Sequence, residues 1–240
     1  MDCNYCKNKN TKNCNPDLYF NKCGTVFDHT LEVLKNLPEN SSFELQMAAL
    51  FHDIGKNEKV AQYIDGKCKF IHHEFVGKNL AKKRLISMHF SKESLDKIVY
   101  LIEHHMDLKN SENISDKTLR KFIREAKDYR SDLLDLIDAD GAGTYIFDKN
   151  TYTIHGLPAK KEIRKRIEQL LKESEINNKK FVYFNGNEIM QIFNLNPGIE
   201  VGKIMKIQTE IIDEFGTNLD KNIALKYIIT KYNEYKNAQT

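Results

Sequence analysis

The run Phe43-Glu44-Leu45-Gln46-Met47-Ala48-Ala49-Leu50-Phe51-His52-Asp53-Ile54-Gly55-Lys56 is apolar at nearly every position up to Phe51, then turns abruptly to imidazole and carboxylate. A helix with so little polar surface belongs in a core, and this one is expected to be central and buried. Ser41 followed by Glu44 reads as a capping box at its start, and Gly55 as the residue that ends it. His52 and Asp53 then fall on the last turn of the most apolar helix. Neither group is cheaply buried there unless it is paired or ligates a metal.

Upstream, Leu31, Val33, Leu34 and Leu37 form a stripe that ends at Pro38, with His29 on the same core-facing side. Downstream, apolar residues three and four apart predict helices over about 73 to 88, 92 to 105, 116 to 127 and 131 to 141. The second of these carries Leu95, Ile98, Val99 and Ile102 on one face, and His73 and His105 stand near the ends of two of them. His155-Gly156-Leu157-Pro158 breaks the pattern before a long charged helix that runs to about Ser174, striped by Ile163, Ile167, Leu170 and Leu171. An extended piece from Phe181 to Phe184, a turn at Asn185-Gly186, a short helix, Pro197-Gly198 and two final helices parted at Gly216 complete the chain. With 4 Pro and 11 Gly in 240 residues, the expectation is an all-α protein. Its parts are a Cys-rich segment over 1–23, a helical domain over 24–157 and a helical C-terminal region over 158–240.

The longest stretch without Asp, Glu, Lys or Arg is Ile189 to Ile199. That is far short of the about 18 to 20 apolar residues of a bilayer span, so no membrane partner is expected. The first 25 residues lack the apolar core of a secretory signal, which makes the cytoplasm the expected compartment and disulfides unexpected. Cys3, Cys6, Cys14 and Cys23 crowd the start of the chain. Four thiolates would complete a tetrahedral zinc shell, and a tail of free thiols fits the spacing as well. A net charge of +3 decides nothing about polyanions, because clustering makes the footprint. Lys160, Lys161, Arg164, Lys165, Arg166, Lys172, Lys179 and Lys180 could follow a phosphate backbone, yet Glu162, Glu168, Glu173 and Glu175 dilute them into an ordinary solvated face. Nothing in the sequence fixes the oligomeric state.

Seven of the eight histidines lie between positions 29 and 105: His29, His52, His72, His73, His89, His104 and His105. Imidazoles mixed with carboxylates suit Mn, Fe, Ni, Co or Zn. The order His29, His52-Asp53, His73, His105, Asp140 resembles the ligand pattern of the HD-domain phosphohydrolases. His52-Asp53-Ile54-Gly55-Lys56 resembles that family's His-Asp-x-Gly-Lys run, and His73-Glu74 with Gly77 its His-Glu-x-x-Gly step. A narrower resemblance covers roughly residues 24 to 230. Gly24-Thr25-Val26-Phe27-Asp28-His29-Thr30, Ala139-Asp140 with Gly143, Asn185-Gly186-Asn187-Glu188-Ile189-Met190 and Pro197-Gly198-Ile199-Glu200-Val201-Gly202-Lys203-Ile204 are similar to the carboxy-terminal half of bacterial tRNA nucleotidyltransferases that carry an HD domain. Those enzymes add nucleotides with a Gly-rich turn and an Asp-x-Asp pair on a strand. The Asp-x-Asp here, Asp138 to Asp140, lies in a helical pattern, so CCA addition is expected to be absent.

The resemblance implies an HD-domain helical bundle with a small helical C-terminal tail, holding one or two divalent transition-metal ions. His29, His52, Asp53 and Asp140 would hold an ion that lowers the pKa of water towards about 7 and polarises a phosphoryl oxygen. His73 and His105 would hold a second, with Asp53 bridging, or act as acid or phosphate contacts over a single ion. Asp138 competes with Asp140, but Ala-Asp is the family's form. Lys56 is the cation placed for a phosphate, or a solvated helix-end charge favoured by the dipole. Arg120 and Arg124, one turn apart, form either a guanidinium clamp or a solvated face. His72 and His104 point about 100° away from their neighbours and are expected to be exposed. The groups expected to do chemistry are Asp53, Lys56, His73 and His105. The expected activity is metal-dependent hydrolysis of nucleotide or nucleic-acid-end phosphoesters, of 2′,3′-cyclic phosphodiesterase, 2′-nucleotidase or phosphatase type. The alternative is an RNA-binding (tRNA-binding) module that lacks the nucleotide-adding half.

Overall fold

The computed structural model describes residues 25–56, 61–64, 67–108, 114–143, 145–148, 151–154, 157–175, 182–217 and 219–238. Cys3, Cys6, Cys14, Cys23, His155 and Phe181 lie outside them. In chain order the elements are α1 (Val26–Lys35), α2 (Phe43–Phe51), β1 (Ala61–Ile64), β2 (Lys67–Phe70), α3 (His73–Ser87), α4 (Lys92–His104), α5 (Asp116–Ala126), α6 (Arg130–Gly143), β3 (Tyr145–Asp148), β4 (Thr151–Ile154), α7 (Leu157–Glu175), α8 (Gly186–Phe193), α9 (Ile199–Phe215) and α10 (Lys221–Asn237). Helices carry the fold, as the spacing predicted. Two short antiparallel hairpins, β1 with β2 and β3 with β4, are additions that the helical pattern did not announce. Among the described residues no helix is long and apolar enough to cross a membrane.

The chain forms two compact units, one from the described residues within Met1–Glu112 and Ala126–Arg164, the other from those within Asn113–Glu125 and Lys165–Thr240. In the first, α1 opens with a true capping box. The Thr25 side chain accepts the Asp28 N–H, and the Asp28 carboxylate accepts the Thr25 N–H at 2.7 Å, which satisfies two otherwise orphaned donors. This sets the turn that turns His29 and Val33 inward, 1% and 0% exposed.

The expected capping box of α2 is shifted. Ser42, not Ser41, caps the helix by accepting the Leu45 N–H, and Glu44 accepts from the Ser94 hydroxyl of α4 at 2.8 Å instead. The helix is also buried on one side only. Leu45, Ala48 and Ala49 are within 1% of full burial, whereas Phe43 and Leu50 are 58% and 42% exposed. The two alanines are what let α1, α4 and α6 all pack against α2. Around them α3 lies along α4, burying Leu85 on one helix and Ile98, Leu101 and Ile102 on the other. Each such side chain contributes about 1.5 to 3 kcal/mol before ordering costs. Helix α6 closes the unit against α1, where a Cβ on Gly143 would sit 3.0 Å from Val33 Cγ2.

The second unit has its own core of Tyr183, Phe184, Ile189, Ile204, Ile211, Ala224, Ile228 and Tyr232. Asn185-Gly186 is the start of α8 rather than a free turn. The Asn185 side chain accepts the N–H groups of Asn187 and Glu188, and Glu188 accepts the Asn185 N–H in return. Residues 182–184, expected to be extended, carry no strand. Buried Gln208 holds them instead, accepting the Phe184 N–H at 2.7 Å and donating to the Phe184 carbonyl at 3.1 Å.

Candidate metal centre

Helix ends deliver the side chains to one place. His52 and His105 are the C-caps of α2 and α4, His73 begins α3, His29 lies in the first turn of α1 and Asp140 lies in α6. His29, His52, Asp53, His73, His105 and Asp140 are all between 0% and 3% exposed. Six polar groups removed from water this completely require partners that hold their lone pairs and charges.

The outer ring nitrogens have theirs. The Nδ1 of His52 faces the Ala49 carbonyl at 2.8 Å, that of His73 the Phe70 carbonyl at 2.8 Å, that of His105 the Ile102 carbonyl at 2.7 Å and that of His29 the Gly143 carbonyl at 3.2 Å. Three of these reach three residues back; for His52 and His105 the acceptor is a last-turn carbonyl that the helix end leaves unsatisfied. A carbonyl only accepts, so each Nδ1 carries the proton and each Nε2 turns a lone pair inward. This is the arrangement by which a backbone carbonyl fixes the tautomer of a metal-binding imidazole.

Those Nε2 atoms converge on two carboxylates. His29 Nε2 lies 3.1 Å from Asp140 Oδ1 and 3.6 Å from Asp53 Oδ2, and His52 Nε2 lies 3.3 Å from Asp53 Oδ2 and 3.9 Å from Asp140 Oδ1. On the other oxygen, His73 Nε2 is 3.2 Å and His105 Nε2 3.9 Å from Asp53 Oδ1, with the two rings 3.3 Å apart at Nε2. Donors bound about 2.0 to 2.2 Å from one ion lie about 3 to 3.5 Å from each other. Among the described residues two donor groups could therefore hold an ion, His29 with His52 and Asp53, and Asp53 with His73 and His105. Asp140 adjoins the first, and Asp53 is common to both. His52 Nε2 and Asp53 Oδ1 are buried without hydrogen-bond geometry to any neighbour, which is the mark of atoms that serve a cation.

Electrostatics agree. Burial opposes the charged forms of His52 and Asp53, but the two charges stabilise each other. The Lys56 charge lowers Asp53 further, so Asp53 is held well below the usual carboxylate range; His52, which Asp140 also raises and Lys56 lowers, stays above the usual imidazole value. Lys56 belongs to the cluster rather than to a solvated helix end. Its ammonium is 2.6 Å from Asp53 Oδ2 and its side chain is 9% exposed.

Two glycines bring the His-Asp turn onto α3. A Cβ on Gly55 would lie 2.0 Å from the His73 carbonyl oxygen and 2.6 Å from the Gly77 nitrogen, and one on Gly77 would lie 3.3 Å from the Gly55 nitrogen. The two motifs, His-Asp-x-Gly-Lys and His-Glu-x-x-Gly, are thus halves of a single backbone contact.

Three other candidates of the first unit lie outside the cluster. Asp138 faces away from the cluster, accepting from Arg164 Nε at 2.5 Å while Asp135 takes the same guanidinium at 2.8 Å. His72 is 73% exposed, and His104 is 26% exposed and bonded to Asp107 at 2.8 Å. The cluster is made wholly of first-unit residues. Arg120 and Arg124 belong to the second unit, where Arg124 pairs with Asp213 and Arg120 donates to the Asp213 carbonyl at 3.2 Å. Lys117, Lys121 and Lys206 line a groove of about 1190 Å³ beside them. The sequence reading missed the carbonyl tethers, although the i−3 spacing at helix ends was available to it.

Residues 26–141 match the family model of the HD domain. Over 84% of its length the chain is 29% identical to the CC-adding tRNA nucleotidyltransferase of Thermus thermophilus, and over 80% it is 25% identical to the A-adding tRNA nucleotidyltransferase of Deinococcus radiodurans. Each match takes in 44% of the relative, so the chain spans less than half the length of either. No solved structure matches it significantly. The residues that match the HD-domain model, 26–141, are the ones whose helices carry His, His-Asp, His, His and Asp into one buried cluster.

Proposed function

We propose that the first unit is a metal-dependent phosphohydrolase acting on nucleotide or nucleic-acid-end phosphoesters, of 2′,3′-cyclic phosphodiesterase, 2′-nucleotidase or phosphatase type. The observation that carries the reading is the convergence of four Nε2 lone pairs, each fixed by a carbonyl on Nδ1, on two buried carboxylates. A binding module needs no such set. His29, His52, Asp53 and Asp140 would hold one Mn, Fe, Ni, Co or Zn ion, and Asp53, His73 and His105 a second. A bound divalent ion supplies Lewis acidity, making water a nucleophile near neutral pH and polarising a phosphoryl oxygen. The protein's part is to keep the imidazoles in one tautomer, hold Asp53 ionised and place the Lys56 cation where a phosphate is bound. If only one ion is held, His73 or His105, as an imidazolium with a proton on each nitrogen, can present the Nε2 proton to the leaving oxygen.

The curated relatives are named for tRNA, and an RNA end offers the adjacent 2′ and 3′ oxygens that a cyclic phosphodiester joins. That makes an RNA end, or a nucleotide derived from one, the substrate class, in the cytoplasm. Nucleotide addition falls outside this reading, since Asp138 and Asp140 both lie on α6. The test is hydrolysis of 2′,3′-cyclic nucleotides, 2′-nucleotides and simple phosphomonoesters by the purified chain, with Mn2+ and with chelator. Chelator-sensitive release of phosphate or opening of the cyclic ester is expected. Metal-loaded protein that turns over none of them but retains RNA would leave the binding-module reading in its place.

A further inference from the structure

We infer that Lys56 is a built-in competitor for one of the two ions, so that the halves of the centre load unequally. This rests on the two-ion reading above. The two oxygens of Asp53 are not equivalent. Oδ1 faces His73 and His105, whereas Oδ2 faces His29 and His52 and also takes the Lys56 ammonium at 2.6 Å. Lys56 is tied to the same residue a second time, since its backbone N–H donates to the Asp53 carbonyl at 2.9 Å. Its charge is thereby kept at the His29 half of the centre.

An ion entering that half must displace the ammonium or bear its repulsion, and with Asp53 only 1% exposed there is little water to screen it. An ion in the other half uses Oδ1, His73 and His105 and leaves Lys56 where it is. Three roles for Lys56 thus differ in sign. A phosphate contact leaves metal affinity unchanged when removed. A hydrogen-bond donor that supports a ligand loses about 10- to 100-fold. A competing cation, when removed, raises it. The full charge of an ammonium in a water-poor site gives Lys56 the third role, and once an ion has displaced it from Asp53 the same cation is available to the phosphate.

The experiment is calorimetric titration of Mn2+ alone into the chelator-stripped full chain. Two binding events are expected. In a His105→Ala background, which retains the His29 half, Lys56→Met should tighten Mn2+ by about tenfold or more. In an Asp140→Asn background, which retains the other half, it should change affinity less than about twofold. Lys56→Arg keeps the charge and should titrate like its parent in both. Should a background variant lose its helical circular dichroism, Lys56→Met and Lys56→Gln in the otherwise unaltered chain should tighten one of the two events and not the other. Unchanged or weakened affinity in the His29 half would overturn the assignment of Lys56 while leaving two ions in place. A single event in the unaltered chain would instead reject the two-ion reading, and this inference with it.

Discussion

Gly55→Ala should damage the protein far more than a single methyl group ordinarily does. The added Cβ would lie 2.0 Å from the His73 carbonyl oxygen and 2.6 Å from the Gly77 nitrogen, where real Cβ contacts essentially never fall below 3.0 Å. Both obstacles are backbone, so no rotamer change relieves them. The start of α3 must retreat by about 1 Å, and overpacking of this kind costs about 1 to 3 kcal/mol or somewhat more. We expect about 3 kcal/mol, a fall in Tm of about 6 to 12 °C at the about 2 to 4 °C per kcal/mol of a chain this size. Because His73 begins the displaced helix, one metal ion should be lost with the stability. Gly77→Ala is the control. Its Cβ would meet nothing nearer than 3.3 Å, and its cost should be about 1 kcal/mol or less. Thermal melts by circular dichroism with metal analysis decide it. A Gly55→Ala protein that melts within about 2 °C of the parent and keeps its metal would refute the claim that the two glycines join the motifs.

Asp140→Ala should lose an ion and Asp138→Ala should keep the full complement, since Asp138 is held by Arg164; metal analysis of the two proteins checks this. The metal-free protein should depend on pH with a definite sign. His52, raised when folded, contributes stability that is complete below about 6.5 and is lost as pH climbs through its folded value, while Asp53, depressed when folded, contributes above about 3.9 and is lost on acidification. Melts in chelator should therefore fall as pH rises beyond the imidazole range, and melts in Mn2+ should not follow, because the ion replaces the proton. Arg124→Ala should leave turnover within about twofold yet cost about 1 to 3 kcal/mol, because it strands Asp213, which is 7% exposed; equal melts of the two proteins would contradict that.

The helices and the His52-Asp53 pair were legible from local chemistry, whereas the full set of six side chains was named from its resemblance to the HD-domain pattern. Apolar spacing marks a helix, and a His-Asp pair closing an apolar run stands out because burial is costly for both groups. What was not legible depended on side-chain choice or on distant chain. Ser41 and Ser42 are equivalent caps on paper, and only the reach of Glu44 to Ser94 separates them. The β1–β2 hairpin had a signal in Asp65-Gly66 between two four-residue strands, but its strands are too short to impose a period. That α5 joins the C-terminal helices, and that Arg124 answers Asp213 across 89 positions, is long-range packing that no local pattern encodes. The charge and position of Lys56 are visible in sequence, whereas the direction of its ammonium towards Asp53 is not.

Asp53 is the atom source common to both halves of the centre, so its removal tests the account most directly. Metal content and hydrolysis of a 2′,3′-cyclic nucleotide should be measured together on the Asp53→Ala protein, with circular dichroism as the check on folding. Loss of both ions and of turnover from a protein that keeps its helices is the predicted result. Full metal occupancy with undiminished hydrolysis would contradict it.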